Sequence, residues 1–361
     1  MPKELIGVVG AGTMGAGIAQ VALENGHEVV LYDVDEEAIE RGRTRIRDGL
    51  GRRAAKLDLD PDSIDNWVDA RLADLRGAET LAAVGAETDV VIEAALEDLE
   101  LKREIFRALD EAADPGAILA TNTSALSIAA IAEVVRVPDR VVGLHFFNPA
   151  PVMALVEVVL GPVTDPAVAD RATALVESWG KTAVRCTDSP GFIVNRVNRP
   201  FTIEALRMLE AGEASVEAID EAIRSAGFPM GPFELMDYIG LDVNLAAARG
   251  VWEGLGRPDR LRPSPVQERL VEAGRLGRKT GEGFYRYGDG APRAAGEGPA
   301  ASGQIDSDVI RDRIVGAIRA EAGRARDDGV ASEADIDLAL RLGAGHPVGP
   351  FVGTSGGLGS R

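Results

Sequence analysis

The chain has 361 residues, a formal net charge of −19, a single cysteine and three histidines. That length suits two or three domains with a sizeable core, and the lone Cys186 excludes an intrachain disulfide and fits a reducing compartment such as the cytoplasm. The acidic balance excludes nucleic acid as a partner, and no apolar run approaches the roughly 18 residues that would span a membrane.

Met1-Pro2-Lys3-Glu4 runs straight into an apolar segment, so no signal peptide is expected. Only five of the 39 basic residues are lysines: Lys3, Lys56, Lys102, Lys181 and Lys279. An acidic, arginine-heavy surface fits a chain kept soluble by its own charge at high salt. A GC-rich genome would leave the same bias. In both cases the few lysines stand out as candidates for function.

In chain order, Leu5 to Val9 reads as a buried strand. Gly10-Ala-Gly12-Thr13-Met14-Gly15 follows and opens a helix that Asn25-Gly26 stops. His27 to Tyr32 is a second strand ending at Asp33. An Arg-rich helical arm, about residues 35–70, exceeds what a minimal nucleotide fold needs. Thr88 to Glu93 and Ala117 to Thr121 are strands around an amphipathic helix, Asp98 to Ala113. Val141 to Phe147 and Val152 to Leu160 are apolar runs broken by Asn148, Pro149 and Pro151. Helix Asp165 to Trp179 and strand Thr182 to Arg185 complete the alternation. The pattern predicts an α/β fold: a Rossmann-type doubly wound sheet over residues 1–185.

From residue 186 to 287 the period changes to 3.6, which predicts an all-helical domain. Residues 288–304, rich in Ala, Gly and Pro, read as a flexible linker. Residues 305–361 carry an internal repeat. Ala214-Ser-Val-Glu-Ala-Ile219-Asp220 is echoed by Ala331-Ser-Glu-Ala-Asp-Ile336-Asp337. Gly227-Phe-Pro229-Met-Gly231-Pro232-Phe233 is echoed by Gly345-His-Pro347-Val-Gly349-Pro350-Phe351. The tail therefore reads as a shortened copy of the helical domain.

A glycine motif alone is weak, but this one follows a strand, opens a helix and is trailed by an acid at the next strand end. Gly10 gives the tight turn, Gly12 lets a pyrophosphate approach, and Gly15 allows close helix–sheet packing. Asp33 would bind ribose hydroxyls and repel a 2′-phosphate, favouring NAD over NADP; its plain alternative is a helix cap. His145 ends one apolar run and Glu157 sits in the next. On neighbouring strands the carboxylate would fix the imidazole tautomer and stabilise the imidazolium, making a general base, or the pair would be a structural salt bridge. Ser124 lies just past a strand, where such sheets place their ligand crevice; it would bond a substrate oxygen or cap a short helix. Asn195, on an apolar helix face, would pair with substrate or tie two helices together. Lys279 sits in a glycine-rich turn. No metal is expected.

Taken in order, GAGTMG, EAALEDLELK, TNTSAL, GLHFFNPAPVMALVE, DSPGFIVNR and GRKTGEGFY closely resemble the L-3-hydroxyacyl-CoA dehydrogenases, including 3-hydroxybutyryl-CoA dehydrogenases, over roughly residues 4–287. The final 57 residues resemble a second copy of that family's helical domain. The resemblance implies His145 and Glu157 as the catalytic pair, Ser124 on the substrate hydroxyl and Asn195 helping to hold the substrate. It implies Glu97, Lys102, Ser124, Asn148 and Lys279 on the nicotinamide side of NAD. The helical arm would serve coenzyme A through Lys56, although Gly49 stands where relatives have serine. The implied activity is NAD-dependent interconversion of 3-hydroxyacyl-CoA and 3-ketoacyl-CoA with short acyl chains. The implied state is a homodimer, or a monomer if the repeat replaces the partner contact. Two other readings compete: a dehydrogenase of a free hydroxy or sugar acid, as for L-gulonate, and a non-catalytic NAD-binding protein. The arm and Lys56 argue against the first, and the full set of Ser124, His145, Glu157 and Asn195 against the second.

Overall fold

The computed structural model describes residues 3–57, 59–288, 293–295 and 305–352. The chain divides into two compact units, residues 1–188 and 189–361. The expected linker, 288–304, falls largely outside the described residues. Within it, β10 (Arg293–Ala294) pairs antiparallel with β9 (Tyr285–Arg286).

The first unit is built in alternation. β1 (Leu5–Val9), α1 (Thr13–Glu24) and β2 (Glu28–Tyr32) lead into the arm, α2 (Glu36–Ala54) and α3 (Ile64–Leu72). β3 (Leu75–Gly77) and α4 (Leu81–Glu87) follow, a strand and helix that the sequence pattern did not resolve. β4 (Val90–Glu93), α5 (Leu99–Ala112), β5 (Ile118–Thr121), α6 (Ile128–Ala132) and β6 (Val141–Phe146) continue the order. β7 (Leu155–Leu160), α7 (Pro166–Ser178) and β8 (Thr182–Thr187) close it, with β8 reaching two residues beyond its predicted end.

The strands form one eight-stranded sheet in the order β3-β2-β1-β4-β5-β6-β7-β8. β3 through β6 are parallel, whereas β7 runs antiparallel to β6 and parallel to β8. The strand order reverses between β1 and β4, which places the ligand crevice of this sheet type outside their carboxyl ends. Val8, Leu31, Ile92, Leu144 and Val158 are fully buried in the core. Strands covered on both faces need near-continuous apolar runs, and those runs are what the sequence displays.

The second unit is helical. α8 (Val194–Val197) passes into α9 (Arg199–Glu210), followed by α10 (Val216–Ser225), α11 (Pro232–Ile239), α12 (Leu241–Gly254) and α13 (Pro265–Glu272). The repeated segment supplies α14 (Ser307–Asp327) and α15 (Glu333–Gly343), and α14 packs against α8, α9 and α10. Arg196 of α8 is buried and donates from Nε to Glu321 Oε1 of α14 at 3.2 Å, and it also binds Asp328. His346, with no role assigned from sequence, bonds Asn198 through Nε2 at 2.8 Å. Burial holds its pKa down, to about 4, so the ring packs neutral against Phe228.

Candidate active site

Gly10 adopts φ +101°, and its amide donates to Tyr32 O at 2.8 Å, turning the chain sharply out of β1. A methyl group on Gly15 would lie 1.8 Å from Gly10 O, so α1 and the turn pack at a distance only glycine permits. Gly12 is the N-cap of α1 and offers no side chain to its first turn. A methyl on Gly12 would meet nothing within 4 Å, so the approach to those amides is open. Uncapped amides with the positive end of the helix dipole are what a pyrophosphate requires. Asp33, past the end of β2, accepts from Ala11 N at 2.8 Å and so braces the turn from its acidic side. The turn built by Gly10, Gly12, Gly15 and Asp33 fits NAD.

The ends of β4 and β5 then converge on a charged network. Glu93, at the end of β4, is fully buried; it accepts from Lys102 Nζ at 2.6 Å, Thr121 Oγ1 at 2.7 Å and Ala95 N at 2.7 Å. Lys102 is 1% exposed and also stands 3.5 Å from Glu97. Glu97 accepts from Thr123 Oγ1 at 2.7 Å and from Ser124 through N at 2.8 Å and Oγ at 3.1 Å. Burial opposes ionisation of Glu97, but the Lys102 cation and the Thr123 and Ser124 donors hold its pKa below the usual carboxylate range. Glu97, Lys102 and Ser124, singled out separately from sequence, thus form one hydrogen-bonded group. Glu93 was missed. Its signal was a lone acid closing an otherwise apolar strand.

The antiparallel register puts His145 directly opposite Glu157. His145 Nδ1 lies 2.6 Å from Glu157 Oε2, with the residues 5% and 0% exposed. The loop after β5 is tied to β6 by Asn122, whose Oδ1 accepts from Phe146 N at 2.8 Å. The Ser124 segment and the His145 strand end are therefore held in one frame. Nδ1 is thus committed to the carboxylate, an arrangement that suits an imidazole to exchange a proton through Nε2.

A cavity of about 610 Å³ opens between α1, α2 and the turn after β6. Lys56, Arg45, Arg52 and Arg53 line it together with Asn148. A methyl on Gly49 would fall 1.9 Å from Gln20 Oε1, so the glutamine amide takes the room a serine side chain would need. In the second unit, Asn195 is half-buried on α8. Lys279 is exposed, and its ammonium meets both oxygens of Asp242 at 2.6 and 2.7 Å.

The fold and this site define a nucleotide-dependent dehydrogenase with a buried His–Glu pair. Residues 5–189 match the 3-hydroxyacyl-CoA dehydrogenase NAD-binding domain, and residues 191–287 and 310–354 match the C-terminal domain of the same enzymes. The chain belongs to the 3-hydroxyacyl-CoA dehydrogenase family. It is 48% identical over 285 residues to a 3-hydroxyadipyl-CoA dehydrogenase of Escherichia coli, an alignment spanning 79% of this chain and 59% of that protein. It is 45% identical over 283 residues to a mitochondrial hydroxyacyl-coenzyme A dehydrogenase of Rattus norvegicus, covering 78% and 90% of the two chains. A crystal structure of 3-hydroxybutyryl-CoA dehydrogenase from E. coli superimposes with a TM-score of 0.87 at 37% identity, over 98% of this chain and 92% of that one.

Proposed function

We propose that the protein interconverts (S)-3-hydroxyacyl-CoA and 3-ketoacyl-CoA esters with NAD, on short acyl chains. The observation that carries this reading is the buried His145–Glu157 pair, 2.6 Å apart on paired strands of the nucleotide-binding sheet. In oxidation, His145 Nε2 takes the proton of the 3-hydroxyl while Glu157 stabilises the charge that forms on the ring. NAD, when bound, accepts the hydride. In the reverse direction the imidazolium returns the proton, with Ser124 and Asn195 as polar supports for the substrate oxygen. Glu97, Lys102, Asn148 and Lys279 are assigned to the nicotinamide side. Lys56, with the arginines of the same cavity, is assigned to coenzyme A. That basic lining also argues against a free hydroxy acid as substrate, since it suits a polyanionic carrier.

The deciding assay follows NADH oxidation with acetoacetyl-CoA beside free acetoacetate. Turnover of the thioester alone is expected, with NADH preferred to NADPH; turnover of the free acid alone would overturn the reading. His145→Gln is expected to lower kcat by roughly 10²- to 10⁴-fold while NADH still binds. Unchanged kcat in that variant would remove the imidazole from the mechanism.

The packing of α14 onto α8, α9 and α10 supports a monomer, because the chain covers those faces with its own repeat. Light scattering on the full chain tests this, and a dimer would refute it. The lone buried Cys186 supports a reducing, cytoplasmic location. The names of the relatives differ in acyl group, butyryl in one and adipyl in another. The end of the acyl chain must therefore be read from this protein's own residues.

A further inference from the structure

No step of the proposed reaction uses Glu93, although it lies buried at the carboxyl end of β4, where the crevice of this sheet opens. Its surroundings are all donors. Oε1 accepts from Lys102 Nζ at 2.6 Å and from Ala95 N at 2.7 Å, and Oε2 accepts from Thr121 Oγ1 at 2.7 Å. The Thr121 hydroxyl itself accepts from Thr123 N at 3.2 Å, which leaves its proton for Glu93. A carboxyl group met by donors on both oxygens is held as the carboxylate.

On the other side of Lys102 stands Glu97, 3.5 Å away. Burial opposes its charge, but the Lys102 cation and the Thr123 and Ser124 donors keep it ionised at neutral pH. Two carboxylates thus share one ammonium, and the triad keeps one net negative charge. One acid alone would neutralise Lys102. Lys102 and Glu93 are 1% and 0% exposed, so solvent screens the excess charge poorly.

The place of this charge in the sheet decides what it acts on. Asp33 follows β2 on one side of the reversal in strand order, while Glu93 and Thr121 close β4 and β5 on the other. An adenosine half on the Asp33 side leaves the nicotinamide half to the β4–β5 side. The nicotinamide ring is a cation in NAD+ and neutral in NADH. A fixed negative charge on that side therefore favours one form of the cofactor over the other.

We propose that Glu93, acting through Lys102 and Glu97, sets the balance between the two cofactor forms: the excess negative charge of the triad tightens NAD+ relative to NADH and makes bound NADH a stronger hydride donor. The proposal rests on the reading of Glu97 and Lys102 as nicotinamide-side residues. Glu93 makes or breaks no bond in the reaction; it is a positioning residue.

The readout is the ratio Kd(NAD+)/Kd(NADH), from calorimetric titration of the full chain with each cofactor form. A role in folding alone would move both constants together and leave the ratio in place. Glu93→Gln keeps the shape of the side chain and leaves Lys102 beside Glu97, so the triad becomes neutral. Its ratio is expected to rise about tenfold, through weaker NAD+ binding. That rise would lift the potential of the bound two-electron couple by about 30 mV. Thr121→Val takes a hydrogen bond from Glu93 but no charge, and its ratio should stay within about twofold of wild type. Glu97→Gln removes a charge at the more exposed end of the triad and should move the ratio in the same direction as Glu93→Gln; it carries the test if Glu93→Gln does not fold. Glu157 stays with His145 in every variant, so the comparison reads the triad alone. A ratio within about twofold of wild type in the charge-removing variant, or an equal rise in Thr121→Val, would overturn the proposal. If acetoacetyl-CoA is reduced and the ratio does not move, only this inference falls. If wild type binds neither NAD+ nor NADH, the proposed function falls with it.

Discussion

In the first unit, Lys102 is 1% exposed and lies between Glu93 and Glu97; in the second, Arg199 is 6% exposed and, among the described residues, pairs with no acid. Both are buried cations, and they differ in how their charge is met. The Lys102 network is charge-compensated within the chain, so it is rigid in the resting protein and can position the Ser124 segment at no further cost in reorganisation. Arg199 has no carboxylate partner among the described residues, so burial alone acts on its charge.

The largest expected effect breaks this comparison from the compensated side. Lys102→Met leaves Glu93 fully buried with only the Thr121 hydroxyl and the Ala95 amide as donors. Removing one partner of a buried ion pair costs about 3–5 kcal/mol, whereas Arg199→Met removes a cation that has no partner and should cost little or even stabilise. Chemical unfolding of the two variants beside wild type checks both. Equal losses would show that partnering does not distinguish the two sites. Combining Lys102→Met with Glu93→Gln should recover part of the loss, since the orphaned carboxylate goes too.

The sequence shows one side of this comparison better than the other. His145 and Glu157 were legible because each sits in an apolar run and prolines fix the turn between them. Antiparallel pairing then set 145 opposite 157. Asp33 was legible for the same kind of reason, as a polar residue closing an apolar strand. Glu93 met that description too, but its partner Lys102 lies beyond a loop and into α5, and no local period links the two. β3 was missed because only Leu75 of its three residues is buried, so it carries no alternation to detect. Arg199 was illegible in principle. What sets it apart is having no partner among the described residues, which is a property of packing, and its sequence neighbours Arg196 and Asn198 do have partners.

The two copies of the helical motif offer a smaller and sharper test of what burial does to charge. Asp220, fully buried, accepts from Phe233 N at 2.9 Å, Glu234 N at 3.0 Å and Tyr285 Oη at 2.8 Å, fastening the start of α11. Its counterpart Asp337 is half-buried and, among the described residues, accepts from Phe351 N at 2.8 Å. Asp220→Ala strands three donors and should cost about 3 kcal/mol; Asp337→Ala strands one and should cost about 1 kcal/mol. Burial pushes the Asp220 pKa up, to about 7, against the pull of its donors. A carboxyl whose pKa rises on folding binds its proton more tightly in the folded chain. Its contribution to stability is then full below the unfolded value near 4 and is lost as the pH climbs through 7. The Asp220→Ala penalty should therefore shrink between pH 5 and pH 8, narrowing the gap between the two variants in unfolding midpoints. A gap that stays constant across that range would mean that Asp220 is ionised throughout, its three donors outweighing its burial.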